Sequence, residues 1–154
     1  MKYKRILFVC SANTCRSPMA QAIFEDMVEK DPELQSSAIY AKSAGTFNSG
    51  RHRASDEVIQ VMHEKGLEIR QHSSRQIDGE LIDWADVILA MQLNHREYIL
   101  SHFPRAEEKA HLHTEFVGQD GEVPDPSGCA IEMYRECADR LMALLEAVLE
   151  KAKS

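Results

Sequence analysis

The sequence predicts a single-domain α/β fold over residues 1–154, in which a four-stranded parallel sheet carries helices on both faces. Short apolar runs of strand length alternate with amphipathic segments of helix length along the whole chain. The 154 residues are about the size of one domain, and no repeat, low-complexity tract or linker divides them. Alternating strands and helices form βαβ units, which make the sheet parallel and cover both of its faces.

Two strand–helix pairs are predicted in the first half of the chain. Ile6–Val9 is an apolar run of strand length, and the helix after it begins at Pro18 with Ser17 as its N-cap. This helix ends near the following Asp-Pro pair, since proline cannot continue a helix. Ala38–Gly45 predicts the second strand, and about Ser55–Lys65 predicts the second helix, which stops at the next glycine.

The second half continues the alternation. Trp84–Met91 contains a buried third strand, and Gln92–His102 is predicted to be helical. Ala110–Phe116 is expected to form the fourth strand. Gly118–Gly128 is rich in turn-forming residues and is predicted to be a loop. Ala130–Lys151 has apolar residues at helical spacing and predicts a long amphipathic helix.

The loop between the first strand and the first helix carries the pattern with the clearest chemistry. A loop that leaves a strand and enters a helix directs its backbone N–H groups and the positive helix end at one point, which makes an anion site. Cys10 lies where the strand ends, and this position favours the thiolate over the thiol. Arg16 offers a planar pair of donors for two oxygens of a phosphate. The Cys-x5-Arg spacing therefore predicts a cysteine-dependent phosphatase loop.

Residues 6–22 resemble the signature of the low-molecular-weight protein tyrosine phosphatases, Cys-x-Gly-Asn-x-Cys-Arg-Ser-Pro near the amino terminus, and the similarity extends along nearly the whole chain. The family usually has glycine where this chain has Ala12, so the loop is either mildly strained there or uses ordinary backbone angles. The resemblance implies that the loop residues bind phosphate: Ser11, Ala12, Asn13, Thr14, Cys15 and Arg16.

A proton donor for the leaving group is predicted at Asp125, in the turn-rich loop before the last helix. Pro126 stiffens the backbone after it, which suits a side chain that leans over a pocket. An Asp-Pro pair alone is a weak signal, and the family resemblance selects this one. Family members commonly carry aromatic residues after the pair, whereas this chain has Ser127 and Gly128.

The resemblance also implies a group of residues that support the loop. In the family, the loop asparagine braces the turn, the serine after the arginine bonds to the thiolate, and a later serine and histidine hold the asparagine. The matching positions here are Asn13, Ser17, Ser43 and His72. Phe47 is expected either to form an aromatic wall of the pocket or to pack in the interior.

Cys15 lies in the same loop as Cys10, and two hypotheses for it stay open. A reversible disulfide between the two would protect the nucleophile from over-oxidation. The alternative is an inert, half-buried thiol.

The substrate hypotheses differ in what surrounds the phosphate. Thr14 matches the phosphoarginine phosphatase branch, which has threonine at this position, whereas most tyrosine-specific members have a branched aliphatic residue there. The pair His95-Arg96 and the missing aromatics after Pro126 favour the same branch, so phosphoarginine is modestly preferred over phosphotyrosine. Arsenate reduction by a thiol relay ranks lower because residues 66–94 contain no cysteine. A non-catalytic phosphate-binding module ranks lower as well, because Cys10 and Asp125 are both present.

The composition of the chain indicates which partners, cellular location and cofactors to expect. The net charge of −7 argues against nucleic-acid binding but leaves room for a local positive pocket. No secretory signal or membrane span is found, and four cysteines without paired spacing indicate a reducing, cytoplasmic setting and no zinc. The expected substrates are phosphorylated proteins. Neither metal nor organic cofactor is expected, and a monomer is the expectation.

Overall fold

The sheet of the computed structural model, which describes residues 3–34 and 38–154, is parallel throughout. Its strands are β1 (Arg5–Cys10), β2 (Tyr40–Gly45), β3 (Val87–Ala90) and β4 (Ala110–Leu112). They lie side by side in the order β2-β1-β3-β4. The register pairs Cys10 at the end of β1 with Gly45 at the end of β2. The predicted four-stranded parallel sheet is confirmed.

The α-helices connect and cover these strands: α1 (Arg16–Lys30), α2 (Asp56–Glu64), α3 (Gly79–Trp84), α4 (Leu93–His102), α5 (His113–Phe116) and α6 (Ile131–Lys153). Short 3-10 turns lie at Pro32–Leu34 and Pro104–Ala106. Asp78 caps α3, its side chain accepting a hydrogen bond from the backbone of Leu81.

Helices pack on both faces of the sheet, as predicted. Successive residues of a strand point to opposite faces, so β1 contributes to two cores. Ile6 and Phe8 lie in the larger core with apolar residues of α1, α2 and α6. Leu7 and Val9 lie in the smaller core with residues of α3 and α4. Burying β1 on both sides fixes where its carboxyl end and the following loop lie.

Two local predictions were wrong, and one helix was missed. The first helix begins at Arg16 with Cys15 at the N-cap position, so Ser17 lies inside the helix and does not cap it. The fourth strand ends at Leu112, and the segment from His113 forms the short helix α5. The helix α3 was not predicted, because six residues are too few to establish a helical period.

Candidate active site

Cys10 ends the central strand β1, and its thiol is almost completely buried, with 2% of the residue exposed. Its Sγ lies 2.9 Å from the hydroxyl oxygen of Ser17 on the first turn of α1. That oxygen also accepts a hydrogen bond from the side-chain amide of Asn13 at 2.7 Å. Because the amide donates to it, the Ser17 hydroxyl can direct its own hydrogen to the sulfur, which is nearer than its other acceptor, the carbonyl of Ala44 at 3.5 Å. This arrangement stabilises negative charge on Cys10 Sγ.

The backbone of the loop after Cys10 turns its N–H groups inward. Its carbonyl oxygens accept from outside the loop: those of Cys10, Ser11 and Thr14 bond to the backbone N–H groups of residues 46, 47 and 55. Among the described residues, no protein atom accepts a hydrogen bond from the backbone N–H groups of residues 11–15. These N–H groups are therefore available to the oxygens of a bound phosphoryl group.

Arg16 is held by two acceptors and keeps one edge of its guanidinium free. It is 1% exposed, and its Nη1 donates to Oε1 of Gln92 at 2.6 Å and to the carbonyl of Val123 at 2.8 Å. Its Nε has no hydrogen-bond partner in the described part of the chain, and its Nη2 makes only an ion pair at 3.7 Å with Asp125. Nε and Nη2 form the planar pair of donors that two phosphoryl oxygens fit.

Asn13 is buried, and its backbone lies in the left-handed region, with φ of 63°. It is the only described non-glycine residue with positive φ. The departure from the family pattern at Ala12 therefore introduces no left-handed alanine. Asparagine tolerates this conformation better than most residues because its short side chain can bond locally. The loop is therefore strained at Asn13, where a non-glycine backbone is held in the left-handed region.

Three residues outside the loop hold Asn13 in that conformation. Its side-chain amide donates to the hydroxyl of Ser43 at 3.0 Å, and its side-chain carbonyl accepts from the backbone of Arg75 at 3.0 Å. Nε2 of His72 donates to its backbone carbonyl at 2.7 Å. Burial lowers the pKa of His72, and the charge of Arg75 lowers it further. The hydrogen bond to Asn13 raises this pKa but does not cancel the other two effects.

Glycine is required at position 45, where β2 passes under the loop. A Cβ on Gly45 would lie 2.3 Å from the backbone oxygen of Ser11, closer than atoms can approach. The loop and the end of β2 are therefore in direct backbone contact.

Asp125 lies in the loop before α6 and points toward Arg16. Its carboxylate is 43% exposed, 3.7 Å from Nη2 of Arg16, and accepts the backbone N–H of Ser127 at 3.0 Å. Burial alone would raise the pKa of Asp125, but the bonds from Ser127 and the charge of Arg16 outweigh it and lower the pKa below its usual value. The free site therefore holds Asp125 as a carboxylate at neutral pH.

The sequence analysis did not predict that two residues contact the catalytic loop: Gln92, which precedes α4, and His95, in the first turn of α4. His95 is fully buried, and its Nε2 lies 2.8 Å from the hydroxyl of Ser11. Its Nδ1 accepts the backbone N–H of Gln92 at 3.1 Å. Burial and the charge of Arg16 lower the pKa of His95 to about 4, so the ring is neutral at physiological pH. Sequence reasoning noticed His95 only through the family resemblance, because its bond to Ser11 spans 84 residues.

The two thiols nearest Cys10 have different surroundings. Cys15 is buried, and desolvation raises its pKa, with the nearby Cys137 and Cys10 adding to the effect. Desolvation likewise raises the pKa of Cys137 to about 12. Both are protonated at neutral pH. Cys10 and Cys15 are free thiols here, and the disulfide between them stays a prediction.

The two predicted selectivity residues lie differently. Thr14 is half-buried within the loop, and its backbone is fixed by the bond from Ser55. Phe47 follows the close contact at Gly45 and is 84% exposed, so it does not pack in a core. Its backbone N–H bonds to the carbonyl of Ser11, which holds it next to the loop.

Comparison with known proteins identifies the family. The model of the family described as low molecular weight phosphotyrosine protein phosphatase matches residues 5–154, nearly the whole chain. The chain belongs to the low molecular weight phosphotyrosine protein phosphatase family.

Curated members of this family are similar over nearly their full length. A protein-arginine-phosphatase of Geobacillus stearothermophilus is 42% identical, covering 97% of both chains. A protein-arginine-phosphatase of Bacillus subtilis is 36% identical over 96% of both chains. The low molecular weight protein-tyrosine-phosphatase PtpB of Staphylococcus aureus is 35% identical, covering 92% of this chain and 94% of its own.

Solved structures from the family have the same fold. The YwlE arginine phosphatase from Geobacillus stearothermophilus superposes with a TM-score of 0.89, covering 97% of this chain and 93% of its own. A cysteine-to-serine mutant of YwlE arginine phosphatase, which carries a phosphorylated active-site serine, gives a TM-score of 0.90 at 34% identity and covers 97% and 96% of the two chains. The predicted α/β fold and the resemblance to the low molecular weight phosphatases are thereby confirmed.

The structure was also searched for metal and membrane features. Within residues 3–34 and 38–154, no three His, Cys, Asp or Glu side chains come together in a way that could hold a metal ion. Over the same residues, no helix combines the length and apolar character needed to cross a bilayer.

Proposed function

We propose that this chain is a protein phosphatase that removes the phosphoryl group from phosphoarginine side chains through a cysteinyl-phosphate intermediate. The observation that carries the proposal is that three kinds of group occur together in one short segment. The Sγ of Cys10 at the end of β1, the unbonded N–H groups of residues 11–15 and the free Nε/Nη2 edge of Arg16 at the start of α1 follow one another directly. A nucleophile surrounded by donors for equatorial oxygens suits phosphoryl transfer.

The first step is the attack of the Cys10 thiolate on phosphorus. The sulfur–phosphorus bond forms as the phosphorus–nitrogen bond to the arginine side chain breaks. The loop N–H groups and Arg16 hold the phosphoryl oxygens, and Asp125 gives its proton to the departing nitrogen. Arginine is released, and the phosphoryl group remains on Cys10.

The second step clears the intermediate. Asp125, now ionised, takes a proton from a water molecule, whose oxygen attacks phosphorus. The sulfur–phosphorus bond breaks, inorganic phosphate leaves, and the Cys10 thiolate is regenerated. The Ser17 hydroxyl, 2.9 Å from the sulfur, stabilises that thiolate as a leaving group.

The low pKa of Asp125 bears on both roles. In the free site it is a carboxylate beside Arg16, which suits the attraction of a cationic guanidinium. A bound phosphoryl group occupies the free edge of Arg16 and brings its own negative charge close to Asp125. Both changes raise the pKa of Asp125, so the substrate itself favours the protonated acid that the first step needs.

The substrate preference rests on the polar rim of the loop. The half-buried Thr14 offers a hydroxyl to the polar guanidinium, and Ser127 and Gly128 follow Asp125-Pro126 without an aromatic ring. The phenyl ring of phosphotyrosine cannot form hydrogen bonds with these polar groups, whereas the guanidinium of phosphoarginine can. Two of the curated relatives named above are protein-arginine-phosphatases.

Phosphotyrosine is the second candidate, and Phe47 favours it. Its ring is 84% exposed beside the loop, where it could stack on the phenyl group of a substrate. The relative from Staphylococcus aureus carries a tyrosine-phosphatase name.

Phosphorylated proteins are the proposed substrates, since the curated relatives are named for protein substrates. A monomeric state, a cytoplasmic location and independence from metal or cofactor stay predictions.

The test is phosphate release from a protein phosphorylated on arginine. The wild type should release phosphate with chelator present, and Cys10→Ser should not. Substantial residual turnover by Cys10→Ser would contradict the assignment of the nucleophile. Cys129→Ser, which changes an exposed thiol, is the matched control and should keep full activity.

A further inference from the structure

A second concave site lies behind the catalytic loop, and the described residues that line it are all polar or basic. We call it the Lys42–Arg75 cavity; it has a volume of about 300 Å³ and includes Lys42, Arg51, Arg75, Ser43 and His72 among its lining residues. None of the described residues that line it carries a carboxylate. For a chain with net charge −7, a concave surface of this composition is a local reversal of charge.

The three cations of this cavity have no carboxylate of the described residues within ion-pair distance, and the guanidinium of Arg75 donates only to the carbonyl of Ser43, at 3.5 Å. Among the described residues, Lys42, Arg51 and Arg75 form no ion pair. Asp78 and Glu80 line a neighbouring cavity that shares Lys42 and Arg75, yet they pair with neither. The Lys42 ammonium lies 4.5 Å from the centre of the Trp84 ring, and this contact leaves its charge unpaired.

Residues of the cavity wall form hydrogen bonds with the catalytic loop. Ser43 and His72 line the cavity and bond to the side chain and the backbone carbonyl of Asn13, at 3.0 and 2.7 Å. The backbone of Arg75 donates to the side chain of Asn13 at 3.0 Å. Three of the cavity residues thus hold Asn13, the residue of the loop whose backbone is in the left-handed region.

We infer that the Lys42–Arg75 cavity is a second oxyanion site that takes a small, multiply charged phosphate-type anion and acts on the catalytic loop through Asn13. Three neighbouring cations match several negative charges, whereas a single carboxylate would leave most of them unpaired. The cavity also provides hydroxyl and amide donors, such as Ser73 and Gln71. An anion bound there offsets the positive charge of Arg75 that acts on His72, and so strengthens the hydrogen bond that the His72 ring donates to Asn13.

Inorganic pyrophosphate is the probe, and calorimetry on the wild type should give two sites per chain, one in each anion-binding region. Arg51→Gln should weaken the second site about tenfold or more, because it removes a charge-assisted contact. Arg51 is exposed and makes no hydrogen bond within the described residues, so the variant should fold normally. Arg105→Gln, which removes the same charge from an exposed ion pair with Asp83, is the matched control and should keep both sites. One site per chain in the wild type would overturn the inference.

Kinetics test the link to the loop. Pyrophosphate that competes in the active site cannot alter kcat at saturating substrate, whereas binding in the second site should change it by about twofold or more. The change should occur in the wild type and in Arg105→Gln, and should be absent in Arg51→Gln. An unchanged kcat in all three would overturn the coupling.

A third measurement separates a free anion from a second phosphoryl group on the substrate. If the occupant is free, peptides with one and with two phosphoryl groups should have equal KM, in the wild type and in Arg51→Gln alike. A lower KM for the doubly phosphorylated peptide, lost in Arg51→Gln, would contradict a free anion. The calorimetric count needs no turnover, so the inference can fail while the proposed activity holds, and the reverse.

Discussion

The Nε2 of His95 lies 2.8 Å from the hydroxyl oxygen of Ser11, and the bond at the other ring nitrogen fixes the direction of this hydrogen bond. Nδ1 of the neutral ring accepts the backbone N–H of Gln92, so the ring hydrogen is on Nε2 and donates to Ser11. The Ser11 hydroxyl then has its own hydrogen free for the loop cavity. We therefore expect His95 to be a positioning residue that orients the Ser11 hydroxyl toward a bound phosphate.

His95→Ala should lower kcat about tenfold, because Ser11 loses the donor that orients its hydroxyl. Ser11→Ala should cost a similar factor, and the double variant should cost no more than either single one. The loss should be the same at pH 5.5 and pH 8, since a pKa of about 4 keeps His95 neutral at both. His102→Ala, an exposed histidine of the same helix, is the control. Additive losses in the double variant would contradict the proposed relay.

Asp125→Ala should slow the release of poor leaving groups more than good ones. The expected loss in kcat is about 10²- to 10⁴-fold on phenyl phosphate, and much smaller on 4-nitrophenyl phosphate, which leaves without a proton. Asp120→Ala changes an exposed carboxylate of the same loop and should leave both rates unaltered. Equal losses on the two esters in Asp125→Ala would argue against an acid role.

Asn13 combines a backbone role and a side-chain role, and two variants separate them. Asn13→Gly keeps the left-handed backbone at φ 63° but removes the bonds to Ser17, Ser43 and Arg75. Asn13→Ala removes the same bonds and adds a strained conformation, which costs about 1 kcal/mol more in the free energy of unfolding. Urea unfolding measures the difference. Equal stability of the two variants would show that position 13 can leave the left-handed region.

His113 makes the fold sensitive to acid. It is fully buried, both ring nitrogens lack a hydrogen-bond partner among the described residues, and its ring centre lies 5.9 Å from that of Phe8. Burial, with a further contribution from the charge of Arg140, lowers its pKa from 6.5 to about 3. The unfolded chain therefore binds a proton first, so stability is full above about pH 6.5 and is lost as the pH falls toward 3.

His113→Leu should flatten that pH dependence. The Tm of the variant should fall less than that of the wild type between pH 7 and pH 4, because the group that must be protonated is gone. His63→Leu, a change at an exposed histidine of α2, is the control and should retain the wild-type dependence. Parallel Tm curves for His113→Leu and the wild type would contradict the assignment.

The parts of the site that could be predicted from sequence are those whose signals are local. Cys10 and Arg16 share one short loop, and the apolar strand before it and the helix after it establish the anion site from adjacent residues. The sheet followed from the alternation of strand and helix periods, since each buried strand needs cover on both faces.

What the sequence did not reveal depends on distant contacts. The bond of Ser11 to His95 and that of Arg16 to Gln92 span 84 and 76 residues, and neither pair has a local pattern. Ser17 followed the rule for N-caps, but its hydroxyl bonds to Cys10 and Asn13, and tertiary contacts prevailed over the local preference. His113 was taken as part of a strand because the turn into α5 has no glycine or proline to mark it.

The most direct test of the proposed function is a comparison of kcat/KM on phosphoarginine and phosphotyrosine peptides of one sequence, with Thr14→Ile measured beside the wild type. The wild type should prefer phosphoarginine, and Thr14→Ile should shift the ratio toward phosphotyrosine by about tenfold, since an aliphatic group packs against a phenyl ring and cannot bond to a guanidinium. A preference for phosphotyrosine in both proteins would contradict the assignment and place this chain with the tyrosine-specific members of its family.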